Sequence, residues 1–201
     1  MSYASAEHDR MIAAMLMPCA VVGVDLTGPA VRVSNGEWTS AWVRWHSLAA
    51  GKARHWRAPS LGEQGVLFNP SGQAGMGTFI PGLYGNAGAP PDNRDHVEVW
   101  RFDDGGSLVY DWEAKSYTIT LPTGTVTIKV GSTQVVVTDN AVTAKVGGTE
   151  AALTADSVAI KSTAIKLTGA VLIDGTLHVT KDITSAGKIL DTSGNSNHHT
   201  H

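Results

Sequence analysis

Alternation of apolar and polar residues is the main pattern in this chain. From Cys19 to about Gly85 the alternating runs are short and are separated by turn residues, which predicts strands. Five are predicted: Ala20–Val24, Ala30–Ser34, Thr39–Arg44, Gly65–Asn69 and Gly77–Pro81. So many short strands in so short a segment are typical of a small barrel rather than a sandwich. Residues 4–17 have helical spacing of apolar residues, and Pro18 is expected to end that helix.

Between Thr118 and Leu190 the period is two throughout, with Thr and Lys at many alternate positions. A turn interrupts the alternation every seven to ten residues or so, which predicts a series of short strands. Their apolar positions are Tyr117/Ile119/Leu121, Val126/Ile128/Val130, Val135/Val137, Val142/Ala144/Val146, Ala151/Leu153/Ala155, Val158/Ile160, Ile165/Leu167, Val171/Ile173 and Leu177/Val179. The pattern contains no amphipathic helix to cover such a sheet.

This C-terminal pattern raises a packing problem, because strands this short with only small apolar side chains on one face cannot form an adequate core from one chain. Two architectures solve it: a solenoid of one chain, or a prism in which several copies cover each other. A solenoid usually needs roughly 18 or more residues per turn with recurring inward positions. The repeat here is shorter and irregular, so we favour an intertwined prism.

The residues between the two patterns predict a linker, because Pro90 and Pro91 block helix and ladder hydrogen bonding alike. All six Trp residues precede residue 113, and no aromatic residue follows Tyr117, so composition also changes along the chain. We therefore predict an N-terminal helix or arm, a barrel, a linker, a shaft and a tip. Their bounds are 1–18, 19–85, 86–95, 96–190 and 191–201.

Charge and cysteine content exclude several classes of protein. Residues 1–95 carry seven basic and seven acidic side chains, so no basic surface for nucleic acid is indicated. Cys19 is the single cysteine, which excludes an intrachain disulfide and fits synthesis in the cytoplasm. The apolar stretch from Met11 to Val24 is broken by Pro18 and Gly23, and we interpret it as neither a signal peptide nor a membrane span.

Two segments carry a resemblance to a known family. They are Ala58-Pro-Ser-Leu-Gly-Glu-Gln-Gly-Val-Leu-Phe-Asn-Pro-Ser-Gly and Gly77-Thr-Phe-Ile-Pro-Gly-Leu-Tyr-Gly-Asn. They resemble the baseplate assembly protein V family of contractile-tailed phages, which is related to the spikes of R-type bacteriocins and type VI secretion systems. The order of helix, barrel, Thr/Val-rich repeat and histidine-bearing tip is similar over nearly the whole chain.

The resemblance implies an all-β fold with an N-terminal OB-fold barrel and a homotrimeric, intertwined triple-stranded β-helix. It implies a central spike that mechanically punctures the bacterial outer membrane during sheath contraction. Its partners would be two further copies, the tail hub of the baseplate and, transiently, the target membrane. The spike would be made in the host cytoplasm, would lie at the baseplate tip of a virion or phage-tail-like particle, and would not be an enzyme.

The chain ends in three histidines within four residues. In an extended strand, His199 and His201 would point to the same side, and three chains would supply six imidazoles, which complete an octahedral shell for a transition metal. This ligand set alone does not choose among iron, nickel, cobalt and zinc. The related spikes have a six-imidazole iron site at the apex, so the resemblance implies iron. Whether a further ion lies on the three-fold axis is left open by the sequence.

His198 is expected to face away from the axis, as a solvated or inter-chain hydrogen-bonding group. A frayed tail or a tag remnant is the alternative for the three terminal histidines. The other histidines, among them His96, are scattered, with no carboxylate at a spacing that indicates a catalytic pair.

Trp38, Trp42 and Trp45 are candidate partner-binding residues, because binding surfaces favour Trp. They would help to dock the barrel on the tail hub; packing in the barrel is the alternative for most of them. An OB-fold can also bind single-stranded nucleic acid, and Arg44 interleaves with these Trp residues, but the balanced charge argues against that function.

Two other functions are alternatives to the spike. A trimeric receptor-binding fibre or adhesin should end in a sizeable binding head, and the residues after Leu190 are too few. An envelope-degrading tailspike enzyme would need paired carboxylates in a groove, and the sequence indicates none.

Overall fold

The structure is a computed structural model that describes residues 3–188. It confirms the all-β prediction: one helix, α1, and two short 3-10 turns, Pro70–Gly72 and Ala74–Met76, are its helical elements within that range. The helix α1 spans Tyr3–Ala13. The strands are β1 Leu16–Asp25, β2 Ala30–Ser34, β3 Val43–Trp45, β4 Gln64–Phe68, β5 Thr78–Leu83, β6 Val97–Arg101, β7 Ser107–Asp111, β8 Ser116–Thr120, β9 Thr125–Val130, β10 Thr133–Thr138, β11 Ala141–Val146, β12 Thr149–Thr154 and β13 Val158–Lys161.

The first five strands form a closed barrel in the order β1-β2-β3-β5-β4. Its pairs are antiparallel except β3 and β5, which run parallel and close the barrel. The predicted count of five strands is confirmed, and β2 has its predicted bounds. The strand predicted from Thr39 begins only at Val43, because Ser40 turns inward and its hydroxyl accepts a hydrogen bond from the Val33 N–H at 3.0 Å.

The prediction of a helix over residues 4–17 is wrong at its C-terminal end. Helix α1 ends at Ala13, and the Asn69 side-chain amide donates to the Ala14 carbonyl at 2.9 Å just beyond it. Pro18 lies inside β1, opposite Val66 of β4. Pairing between β1 and β2 begins only at Ala20, so β1 has a partner on one side at Pro18 and a residue without an N–H is tolerated there.

The hydrophobic core of the described residues lies entirely in the barrel. Its buried members are Cys19, Val21, Ala30, Val31, Val33, Val43, Leu67 and Phe79. Each large side chain among them stabilises the fold by about 1.5–3 kcal/mol through burial. Gly65 is required beneath Phe79, because a Cβ there would collide with the Phe79 ring and the Ile80 carbonyl oxygen. The barrel therefore builds a core without another chain.

The remaining strands form two antiparallel sheets in which chain neighbours are sheet neighbours. One has the order β6-β7-β8 and the other β13-β12-β11-β10-β9; we call the second the meander. The chain divides into two compact units between Pro122 and Thr123, which places the three-stranded sheet in the same unit as the barrel. The domain bounds given above stay predictions.

The structure assigns no strand between Ser162 and Lys188, although the apolar alternation continues through Ile165, Leu167 and Val171. A strand is stabilised by hydrogen bonds to a neighbouring strand, and within residues 3–188 no other segment pairs with this one. Of the part of the chain described here, no helix is long and apolar enough to cross a lipid bilayer.

Candidate functional site

One face of the meander is apolar, and we call it the apolar face. The strand register aligns its residues in rows that cross all five strands. The two complete rows are Val126, Val137, Val142, Leu153, Val158 and Ile128, Val135, Ala144, Ala151, Ile160. Thr and Lys residues alternate with them along the strands and lie on the opposite face. The predicted period of two is therefore present as a two-faced sheet.

The apolar face is exposed in the single chain. Relative exposure among its large side chains reaches 64% at Ile128 and 70% at Val158, and even Val142, on the central strand β11, is 39% exposed. A contiguous patch of this kind is unfavourable in water and marks a surface that another molecule covers. A helix or loop that covers the face is absent from the described residues of the meander unit. The apolar face therefore has the properties of an interaction surface.

A second exposed face belongs to the sheet β6-β7-β8, and we call it the aromatic face. Register places Trp100, Leu108 and Ile119 in one row across the three strands, and Tyr110 next to Tyr117. The Tyr110 and Tyr117 rings lie 6.3 Å apart, and the Trp100 indole N–H donates to Glu98 Oε1 at 3.0 Å. These side chains line a shallow groove. Trp100, Tyr110 and Tyr117 are 48%, 46% and 62% exposed, so the three aromatic residues form an exposed apolar patch.

The three tryptophans predicted to bind a partner lie in two environments. Trp38 and Trp45 pack against the barrel core. Trp42 is 52% exposed and lies over Gly23, whose missing side chain leaves room for the indole. The Arg32 guanidinium carbon is 6.0 Å from the Trp42 ring centroid, at the limit of a cation–π contact. Of the three, Trp42 has the surface position that a partner contact needs.

An ion-pair cluster precedes β6, and sequence reasoning missed it. Arg94 binds Asp92 at 2.8 Å and Asp111 at 3.2 Å, and a hydrogen bond from Arg94 holds the pKa of Asp92 far below its usual range. The His96 ring lies 3.2 Å from Glu113 and 3.8 Å from Asp111. No local sequence pattern indicates this cluster, because only the hairpin pairing of β6 with β7 brings residue 111 beside residue 97.

This cluster stabilises the turn after β7. Asp111 Oδ1 accepts hydrogen bonds from the backbone N–H groups of Glu113 and Ala114 and thereby shapes the turn after β7. Its other oxygen accepts from Arg94, so the carboxylate is engaged on both sides. The cluster fastens the segment before β6 to the end of β7.

The predicted metal ligands His199 and His201, and His198 beside them, lie outside the described residues. Among residues 3–188, no group of three or more His, Cys, Asp or Glu side chains is arranged to hold a metal ion. The single cysteine of the barrel, Cys19, is buried, and this burial raises the pKa of its thiol.

Comparison with known proteins gives three similarities. Residues 17–84 match the type VI secretion system/phage-baseplate injector OB domain, which is the barrel segment. Residues 98–149 match the Gp138 beta helical trimerization domain, which covers the aromatic face and the first part of the apolar face. The chain is 31% identical over 192 residues to the spike protein of Escherichia phage P2, an alignment that covers 94% of this chain and 84% of that protein.

Proposed function

Since this chain belongs to the family of phage spike proteins, we propose that three copies form the central spike of a contractile tail, with the apolar face of each copy turned toward the other two. One observation carries the trimer: the apolar face is exposed in a chain that contains a beta helical trimerization domain. Three copies would cover the valines and isoleucines of one another, each worth about 1.5–3 kcal/mol on burial. Residues 162–188 would find their hydrogen-bond partners in the other chains.

The mass of the purified full chain in solution tests this assembly. Light scattering at micromolar concentration should give three times the chain mass of 21.1 kDa. A monomer at that concentration would refute the trimer, because a chain without partners would leave the apolar face in water.

We propose mechanical puncture of the outer membrane as the task of this trimer. A shaft in which every strand is paired and every apolar face is covered resists local opening, since loss of one strand would expose the faces of the other two. The match to the injector OB domain and the similarity to the spike protein of phage P2 support this role.

Permeabilisation of living cells tests puncture. Tail particles that carry this chain should admit a chromogenic substrate to a periplasmic enzyme, whereas particles without the spike should contract and admit none. Release of soluble fragments from purified peptidoglycan or lipopolysaccharide by the isolated chain would favour the tailspike-enzyme alternative instead.

We propose that His199 and His201 of three chains bind one iron ion at the apex of the spike. Two imidazoles per chain are too few for a tight site, and six complete an octahedral shell. When bound, the ion would tie the three strand ends together and would require neutral imidazoles. Elemental analysis should find one iron per trimer, lost in the His199→Ala/His201→Ala variant. A wild-type trimer without metal would refute the site.

We propose that the barrel docks on the tail hub and that Trp42 contributes to the contact. Its position over Gly23 leaves one side of the indole exposed beside Arg32. Trp42→Ala should weaken incorporation of the spike into tail particles while the trimer mass stays unchanged. Equal incorporation of the variant and the wild-type chain would refute a role for Trp42.

A further inference from the structure

The turns of the meander lie along two opposite sides of the sheet, at the ends of its strands. We call these two sides its lateral edges, and they carry opposite charge. Three lysines lie near the edge formed by the turns at Gly131 and Gly147, and we call this the lysine edge. They are Lys129, Lys145 and Lys161, which share one row across the sheet with Gln134 and Glu150. Asp139 and Asp156 lie in the turns at the other end of the strands, the aspartate edge.

These charges are largely uncompensated within one chain. Glu150 pairs across the strands with both Lys145 and Lys161, which leaves the row with three positive charges and one negative charge. None of the three lysines forms an ion pair within the described residues, and Asp139 and Asp156 form none there either. All five of these side chains belong to exposed residues.

We infer that the lysine edge of one protomer lies against the aspartate edge of the next, at each of the three corners of the shaft. This rests on the proposed trimer. In a β-helical prism the strands run across the axis, so the turns of each sheet lie at the corners. Three-fold rotation then brings one lateral edge of each copy to the opposite edge of its neighbour, because the contact is heterologous and the ring closes. Two unlike edges of opposite charge satisfy this geometry.

The heights of the charged residues also match. Rotation about a closed three-fold axis allows no shift along the axis, so a residue keeps its level in every copy. Asp139 lies between β10 and β11, half a strand spacing, about 2.4 Å, from the level of Lys145 on β11. Asp156 lies between β12 and β13, and Lys161 is on β13, at the same offset. Each aspartate thus faces a lysine.

Lys129 supplies a matched control, because it has the same place on its strand but no acidic residue at its level on the facing edge. The turn between β8 and β9, Leu121-Pro122-Thr123-Gly124, contains no charge. Asp139 is one and a half strand spacings from the level of Lys129, about 7 Å. Within the sheet the two lysines differ in one respect, because Glu150 lies across from Lys145 and not from Lys129. The comparison is therefore made through their coupling to Asp139.

A charge-reversal cycle in the full chain tests the pairing. Lys145→Glu and Asp139→Lys should each lower the midpoint of thermal dissociation of the trimer, and the double variant should recover most of the loss. The Lys129→Glu/Asp139→Lys variant, in contrast, should show no such recovery, and its two losses should add. The gap between the single and double variants should close in about 1 M NaCl, where screening acts within about 3 Å. A Lys145→Glu/Asp139→Lys variant that shows only the sum of the two single losses would overturn the inference.

Cross-linking provides a second readout that does not depend on stability. Lys145 and Asp139 of one chain lie at opposite ends of β11, about 20 Å apart, so a short thiol cross-linker cannot join them within a chain. The Lys145→Cys/Asp139→Cys variant, in a Cys19→Ala background, should therefore give covalent dimers and trimers. Lys129→Cys/Asp139→Cys should give fewer. A trimer that yields no cross-linked product in the first variant overturns the edge pairing alone, whereas a wild-type monomer overturns the proposed function.

Discussion

The barrel and the meander use the same kind of strand and reach opposite outcomes. Both are built from short strands with Val, Ile and Leu on one face. Closure of the barrel turns that face inward, so that Val31, Leu67 and Phe79 are completely buried. The meander remains an open sheet, and Ile128 on its equivalent face is 64% exposed. The barrel is a domain with its own core, whereas the meander has an apolar face that only a partner can cover.

The parallel pair β3–β5 makes this difference. Together with the antiparallel pair β1–β4, it joins strands that are not neighbours in sequence and thereby closes the sheet, whereas every pair in the meander is a hairpin between consecutive strands. A sheet made only of hairpins has two free edges and an uncovered face. Local alternation therefore predicts strands, but the connectivity decides whether a chain needs partners.

Placing a charge on the apolar face should have the largest effect. Ile128→Asp would bury three carboxylates in the trimer, and each unpaired charge costs several kcal/mol, so we expect the trimer to be lost. Thr127→Asp, on the opposite face of the same strand, is the control and should leave the trimer intact. Light scattering measures both. A trimeric Ile128→Asp variant would place the interface elsewhere.

Truncating the barrel core should have a smaller effect that is confined to the barrel. Phe79→Ala removes a completely buried ring and should destabilise the barrel by about 3–5 kcal/mol. Ile80→Ala, at the next and half-exposed position, should cost about 1 kcal/mol or less. Trp fluorescence during denaturant unfolding reports the change, because Trp45 packs on this core. Equal losses in both variants would contradict the assigned core.

The Arg57–Glu63 pair should give a modest, pH-dependent contribution within the barrel unit. Burial raises the pKa of Glu63, but hydrogen bonds from Arg57 at 2.6 and 3.0 Å and from the Ser60 N–H outweigh it, so the net shift is downward from 4.5. A carboxyl group whose pKa is lower in the folded chain than in the unfolded chain stabilises the fold at pH values above its unfolded pKa. That stabilisation is lost as pH falls through its folded pKa.

Glu63→Gln should consequently lower the thermal midpoint of barrel unfolding at neutral pH. The gap to the wild-type chain should narrow below pH 4.5, the ordinary value for this carboxyl. Thermal melts at a series of pH values measure it. A gap that is the same at every pH would show that the pair contributes through its shape and not its charge.

The smallest expected effect concerns the rate at which Cys19 reacts with alkylating reagents. Burial in the barrel raises the pKa of the Cys19 thiol, so the thiolate that reacts with alkylating reagents is scarce at neutral pH. Labelling of the native chain should be slow, and it should accelerate when Phe79→Ala opens the barrel but stay slow in Ile128→Asp. Fast labelling of the wild-type chain would contradict the burial.

Sequence reasoning predicted the elements better than their ends. It placed β2 at its observed bounds and found the apolar face, because alternation is a local property. It extended α1 too far, since Met15 and Leu16 continue the helical spacing although Leu16 already belongs to β1. The ion-pair cluster around Asp111 could not be predicted from the sequence, because it depends on the register between β6 and β7.

Hairpin pairing in the meander has a consequence for the order of folding. Loop closure in each hairpin spans few residues, so pairing of these strands within a chain is expected to be fast, whereas their apolar face is covered only when other copies associate. Only the encounter depends on concentration. The strand order and register of the sheet are set by pairing within one chain, so association has to align whole sheets rather than single strands.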